Sequence, residues 1–158
     1  MSDSGRRRIL LITRNLPPLV GGMERLNWHM AEELAKHADV RVIGPAGAAA
    51  QAPPGVSIED VPLAPLPRFL LGAQWKAWRV ARRWRPHVVL AGSGLTAPLA
   101  WSIARSCGAR CAVYVHGLDI TVQHALYRAL WLPAIRRMDR VIANSRATHT
   151  QAGNAGVK

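Results

Sequence analysis

Short runs of aliphatic and β-branched residues alternate along the chain with longer stretches whose apolar positions recur every three or four residues. RILLIT (residues 8–13) reads as a first strand. Met23, Leu26, Met30 and Leu34 then mark the apolar stripe of a helix, with Trp28 off that stripe under a loop or a further domain. DVRVIG (39–44) and VSIEDVPL (56–63) read as the second and third strands, and a helix follows over 69–84, closed by Pro86. HVVLAG (87–92) is the next strand. The helix after it has Thr96 as N-cap and Pro98 in its first turn. RCAVYVHG (110–117), a helix over 121–132, RVIANS (140–145) and a short helix from about 146 complete the pattern.

Strands this short and apolar, separated by helices, predict an α/β fold. It is a Rossmann-like parallel sheet with helices on both faces, three layers deep. Ligands of such sheets sit at the carboxyl ends of the strands, near the point where strand order reverses. The candidate site loops are therefore 14–22, 44–55, 92–96, 116–121 and 144–146. The segment PAGAAAQAPPG (45–55) is low in complexity and reads as a mobile surface loop.

The length, 158 residues, suits one compact domain, and 49% hydrophobic residues with a mean hydropathy of +0.03 fit a globular core. No internal repeat is visible. The apolar run 9–12 is too short for a signal peptide. The uncharged stretch 88–104 is broken by Gly92, Ser93, Gly94, Thr96 and Pro98, whereas a membrane span needs about 20 mostly apolar residues. The expected compartment is the cytoplasm. Cys107 and Cys111 stand without the partners a zinc site needs, and both read as small core residues.

Charge changes the picture more. Twenty-one Lys and Arg oppose nine Asp and Glu, a net +12, and residues 61–118 contain no carboxylate but eight basic residues. Such a field favours anionic partners, although an arginine-rich soluble surface gives the same count.

The first strand opens into RNLPPLVGGMERLNWHM, with Pro17, Pro18, Gly21 and Gly22 at one strand-to-helix junction. The prolines stiffen the loop. The glycines can adopt positive φ and let another group approach the main chain. The following helix aims unpaired amides and its positive dipole end at that gap, worth roughly 0.3–2 kcal/mol to an anion. A turn needed only for chain geometry is the plainer reading. Neither a G-x-G-x-x-G nor a P-loop fingerprint occurs.

PPLVGGMERLNWHMAEELA (17–35), YVHGLDI (114–120) and VIANSRAT (141–148), in this order and each at the end of a strand, resemble the amino-terminal domain of the retaining glycosyltransferases of family four, or group one. These are two-domain enzymes of the GT-B type. The resemblance implies that the main chain at Gly21 and Gly22 approaches the phosphate and sugar of a nucleotide-sugar donor. It implies that His116 lies beside the reacting carbon and steadies a developing oxocarbenium ion. Asp119 matches a position that binds sugar or acceptor, and Ser145 lies where the last strand meets the cleft. The implied reaction moves a sugar with retention from a nucleotide diphosphate to a glycan or lipid-linked acceptor, in cell-envelope glycan or glycolipid synthesis. No cofactor or metal is expected.

Elimination points the same way. Glycoside hydrolysis wants two carboxylates about 5–10 Å apart, and only Glu24 and Asp119 are well placed, with Glu24 able simply to complement its helix dipole. GSGL (92–95) lacks the G-x-S-x-G elbow of hydrolases, and metal-ligand spacings are absent. Transfer from an activated donor asks less of side chains, because positioning and charge stabilisation do most of it. His29, His37, His87, His124 and His149 have no comparable context.

RFLLGAQWKAWRVARRWRPH (68–87) carries six basic residues, three tryptophans and no acid. Lys76, Arg79 and Arg83 share one side of the helical wheel. Leu70, Ala73, Ala77, Val80, Ala81 and Trp84 lie opposite, and Trp75 and Trp78 fall on a flank with Arg82 and Arg85. Trp75, Lys76, Trp78, Arg79, Arg82 and Arg83 are thus candidates for an anionic membrane surface, on the inner face of the plasma membrane. A solvated charged face with tucked-in tryptophans is the alternative. Family resemblance would place a second, nucleotide-sugar domain beyond residue 158. The chain is then one catalytically incompetent half of a GT-B enzyme, open to self-association. The competing reading is a basic α/β module that binds nucleic acid or membrane without chemistry. Nucleic acid is not expected, since no RNA- or DNA-module signature is present.

Overall fold

The structure, a computed structural model, describes residues 5–115, 129 and 131–143. Six parallel strands form one sheet: β1 (Arg7–Ile12), β2 (Ala38–Pro45), β3 (Val56–Val61), β4 (Val88–Ala91), β5 (Arg110–Val115) and β6 (Arg140–Ala143). Their order is β3-β2-β1-β4-β5-β6. The chain winds outward from β1 to β3, crosses back and winds outward again from β4, so β1 and β4 lie side by side at the reversal. Leu11 is level with Val42 on one side and Leu90 on the other. The expected Rossmann-like α/β sheet is what forms.

Alternation along β1 divides the core in two. Leu10 and Ile12 face the layer of α2 (Leu66–Trp84), α3 (Ala97–Cys107) and the short α4 (Leu132–Arg136), together with Val89, Ala91, Val113 and Val115. Leu11 faces α1 (Gly22–Ala35) with Val40, Val42 and Leu90. Alanines at 73, 77 and 81 of α2 and at 97, 100 and 104 of α3 line the sheet-facing sides. Their small size lets the helices lie close. At Gly72 the approach is closest, where a Cβ would lie 2.9 Å from Val61 Cγ1. Phe69, fully buried, anchors the start of α2.

Several boundaries and loops differ from the pattern-based reading. α2 begins at Leu66, three residues early, because Pro65 supplies an extended N-cap and Pro67 fits the first turn. β3 stops at Val61. The 45–55 segment is held in place: Asp60 Oδ2 and Oδ1 accept the amides of Gly47 (3.0 Å) and Ala49 (2.9 Å), and Ala49–Gln51 form a 3₁₀ turn. Two amides fixed by one carboxylate replace the mobile loop that composition suggested. Trp28 lies under that loop and donates Nε1–H to Gln51 O at 2.8 Å. Only Cys111 is fully buried, Cys107 being half-exposed at the end of α3. The helix expected over 121–132 falls almost wholly outside the described residues.

Candidate functional site

At the carboxyl ends of β1 and β4 the chain gathers small polar side chains. Thr13 continues the β1 ladder by donating its amide to Ile43 O, and Gly92 does the same to Ile12 O, both at 3.0 Å. A Cβ on Gly92 would sit 2.6 Å from both Cβ and Oγ1 of Thr13, so glycine is required for the two strand ends to meet. Asn27, one turn into α1, donates Nδ2–H to Thr13 Oγ1 and to Asn15 O, each at 3.1 Å. Thr96 donates its hydroxyl to Ile12 O at 2.9 Å, so this N-cap residue ties α3 to β1 instead of capping its helix.

Thr13, Asn27, Ser93 and Thr96 are each at most 1% exposed. Burial this complete requires hydrogen-bond partners within the protein or from bound water. Asn27 Oδ1 and Ser93 Oγ have none among the described residues, and neither does Nε of the half-buried Arg14 beside them in sequence to Thr13. An unmet buried polar atom costs about 1–3 kcal/mol, and such atoms gather where a ligand or ordered water completes the set. Pattern reading passed over Asn27. The available signal was a polar residue four before Ala31, the pair that forms the buried face of α1. The Met23, Leu26, Met30 and Leu34 stripe flanks that face and is only half-buried.

The Gly21–Gly22 turn stands at the same edge. Neither glycine uses left-handed backbone: Gly21 is extended, with φ 162° and ψ 174°, and Gly22 opens the helix. This corrects the positive-φ expectation. A Cβ at Gly21 would meet only the Glu24 carboxylate, the far end of a flexible side chain. Glu24 folds back over the turn and is held by Asn15 Nδ2 on Oε1 at 3.0 Å. Around Gly22 nothing approaches within 4 Å of where a Cβ would lie, so its main chain is open to a ligand. No side chain caps α1, and the first intrahelical bond is Arg25 N to Gly21 O. A hollow of about 570 Å³ adjoins the turn, walled by Pro17, Pro18, Val20, Gly21, Arg25 and Trp28.

Three of the expected site residues, His116, Asp119 and Ser145, lie outside the described residues. Strands β5 and β6 end at Val115 and Ala143, at the same carboxyl edge. The structure places the six candidate surface residues along α2. Trp75 and Trp78 are 56% and 41% exposed, so they are not tucked under loops. Lys76 instead turns inward, donating to Asp60 O at 2.5 Å, and Arg79 reaches Glu59 at 3.3 Å while stacking on Trp75. Arg82 stacks on Trp78, and Arg83 is exposed. Among the described residues no cluster of His, Cys, Asp and Glu could hold a metal, and no helix is long and apolar enough to cross a membrane.

The model of Glycosyltransferase Family 4 matches residues 20–158. The chain belongs to Glycosyltransferase Family 4. No curated protein matches it. Among solved structures it is similar to Anabaena HepE in complex with UDP-glucose, with a TM-score of 0.72 and 18% identity over 96% of this chain and 41% of that one. Sucrose-phosphate synthase from Thermosynechococcus elongatus gives 0.70 and 15% over 96% and 46%. UDP-N-acetylglucosamine 2-epimerase from Rickettsia bellii gives 0.70 and 13% over 97% and 43%. This Family 4 chain thus spans less than half the length of these neighbours, and it has the fold of one half of a GT-B enzyme. A synthase and an epimerase share that fold, so fold alone does not fix the reaction.

Proposed function

We propose that this Family 4 domain forms the acceptor-side wall of a cleft in which a sugar passes, with retention, from a nucleotide diphosphate to a glycan or lipid-linked acceptor. The open main chain at Gly22, on an uncapped helix N-terminus at the strand-order reversal, carries the reading. Amides of the first turn of α1 meet the donor phosphate, and Arg14 adds positive charge at the same edge. A nucleoside diphosphate is already a good leaving group, so the residues mainly position donor and acceptor. His116 steadies the oxocarbenium-like sugar, Asp119 and Ser145 hold sugar or acceptor hydroxyls, and the departing phosphate takes the acceptor proton. Asn27 Oδ1 and Ser93 Oγ offer unused polar atoms beneath the crevice. A second domain beyond residue 158 supplies the grip on the nucleotide, and neither metal nor cofactor takes part.

The test uses the reading frame continued downstream of Lys158, assayed for nucleoside diphosphate release from a panel of UDP-, GDP- and ADP-sugars with lipid-linked and free glycan acceptors. Acceptor-dependent release, lost in His116→Ala and Gly22→Val, is expected. No release from any donor, or transfer by residues 1–158 alone, overturns the reading. Exposed Leu71, Trp75 and Trp78, in line with Arg82 on α2, further support a peripheral position on the cytoplasmic leaflet. Vesicles of anionic lipid should sediment the chain at low salt, and Trp75→Ser/Trp78→Ser should release it. Sedimentation that ignores this double change removes the membrane part.

A further inference from the structure

A concentration of arginines lies at the other end of the sheet, away from the crevice. There the amino ends of β1, β4 and β5 and the carboxyl ends of α2 and α3 surround a hollow of about 660 Å³. Arg7, Arg8, Arg85 and Arg110 line it with His87, and no carboxylate does. A smaller hollow of about 230 Å³ shares Arg85 and adds Arg82. Arg8 is committed to the protein, its Nε donating to Arg85 O at 3.1 Å. His87 Nδ1 accepts the Arg8 amide at 2.9 Å, so the neutral ring carries its proton on Nε2 and adds a donor to the lining. Arg7, Arg85 and Arg110 are exposed, and no hydrogen bond or ion pair engages their guanidinium groups among the described residues.

Arginine near helix carboxyl ends is ordinary, because it offsets the dipole. Two helix ends supply roughly one negative charge between them, and Arg7, Arg85 and Arg110 alone leave an excess of about two. Arg7 and Arg110 start strands, where no dipole asks for them. Arg85 occupies the helix-capping position in left-handed backbone, φ 51°, where glycine is the usual occupant. β1 and β5 flank β4, and Arg110 is level through Val88 with Ile9, two residues along from Arg7, which sets the backbones of Arg7 and Arg110 roughly 12 Å apart. Long side chains from both sides can close on an anion wider than a single phosphate. The planar guanidinium fork matches phosphoryl oxygens in pairs.

We propose that this basin is a second anion site, independent of the crevice, for a ligand carrying two or more phosphoryl groups. The chemistry is shared by a soluble diphosphate ester and by clustered anionic lipid headgroups.

Inorganic pyrophosphate is the probe, titrated calorimetrically into the 158-residue chain. Binding of one equivalent at the basin is expected, weakened about tenfold or more by Arg7→Gln/Arg110→Gln and weakened less by Arg7→Lys/Arg110→Lys, which keeps the charge but not the fork. Gly22→Val, which blocks any pyrophosphate at the crevice, should leave in place the binding that the basin pair removes. In wild-type chain the side-chain Nε–H resonances of Arg7, Arg85 and Arg110 should shift with pyrophosphate, a readout that does not depend on any variant folding. Failure to bind, resonances that stay put, or loss that follows Gly22→Val instead of the basin pair overturns the proposal. Vesicles containing phosphatidylglycerol separate the sources. Binding to them that is cut by the basin pair and displaced by pyrophosphate assigns headgroups, and vesicle binding blind to both assigns a soluble ligand. None of these outcomes depends on whether the crevice transfers sugar.

Discussion

Gly92 shows how one missing side chain holds the crevice together. Its amide bonds to Ile12 O while Thr13 fills the space where a Cβ would be, and Thr13 Oγ1 is the acceptor for both Asn15 and Asn27. Gly92→Ala must push Thr13 aside and disturb all three bonds. Overpacking of this kind costs about 1–3 kcal/mol, and urea unfolding should show a lowered midpoint with an unchanged slope. A midpoint equal to wild type would mean that the strand ends are looser than the structure shows. The two cysteines differ in the same way. Burial pushes the Cys111 thiol above its ordinary pKa, and its amide is bonded to Asp139 Oδ2 at 2.8 Å. Cys107 is half-exposed. A thiolate-selective reagent at neutral pH should label Cys107 first and Cys111 only on unfolding. The raised thiol also fixes a sign: the folded chain keeps a proton the unfolded chain releases, so Cys111 withdraws stability as pH climbs past the ordinary thiol range. Cys111→Ala should flatten that alkaline fall.

At the scale of elements, α2 joins two different surfaces. Its inner side packs Phe69, Ala73, Ala77, Val80 and Ala81 on the sheet, and its outer side exposes Leu71, Trp75 and Trp78. This partition was legible from helical spacing, because periodicity depends only on neighbours in sequence. The inward turn of Lys76 and Arg79 was not, since it needs β3 to present Asp60 O and Glu59. The orientation of α1 escaped for a related reason: the helix rests on a small residue, Ala31, and on a polar one, Asn27, and hydrophobicity alone ranks the larger flanking side chains first. Arg85, at the end of α2, carries a prediction of its own. Left-handed backbone is costly for a side chain with a Cβ and free for glycine. Arg85→Gly should therefore raise stability by roughly 0.5–1 kcal/mol after the greater entropy of the unfolded glycine chain is counted, while lowering pyrophosphate affinity. Loss of stability would mean that the arginine side chain supports the helix end itself.

For the molecule as a whole, the parallel sheet with helices on both faces followed from alternating elements, whereas its strand order was not assigned from the sequence. The arginine basin could not be read that way. Arg7, Arg85 and Arg110 are far apart in sequence and meet only because β4 lies between β1 and β5. What sequence did show was the imbalance, +12 over 158 residues and concentrated over 61–118, without showing which of these residues come near Arg7 in space. Its two consequences are separable by salt. A diffuse surface charge destabilises the compact chain by general repulsion, and any electrolyte relieves it, as the Debye length falls from about 10 Å at 0.1 M to about 3 Å at 1 M. A basin acts differently, because a multivalent anion bound there stabilises in proportion to the logarithm of its concentration. At 100 times its dissociation constant pyrophosphate would add about 2.7 kcal/mol, a rise in Tm of roughly 5–10 °C for a chain of this size. The comparison is between sodium chloride and millimolar pyrophosphate at matched ionic strength, which keeps the concentration of salting-out ions low. Pyrophosphate should raise Tm well beyond chloride in wild type and no further than chloride in Arg7→Gln/Arg110→Gln. Equal curves in the wild-type chain would assign the whole effect to screening and leave the basin without a ligand.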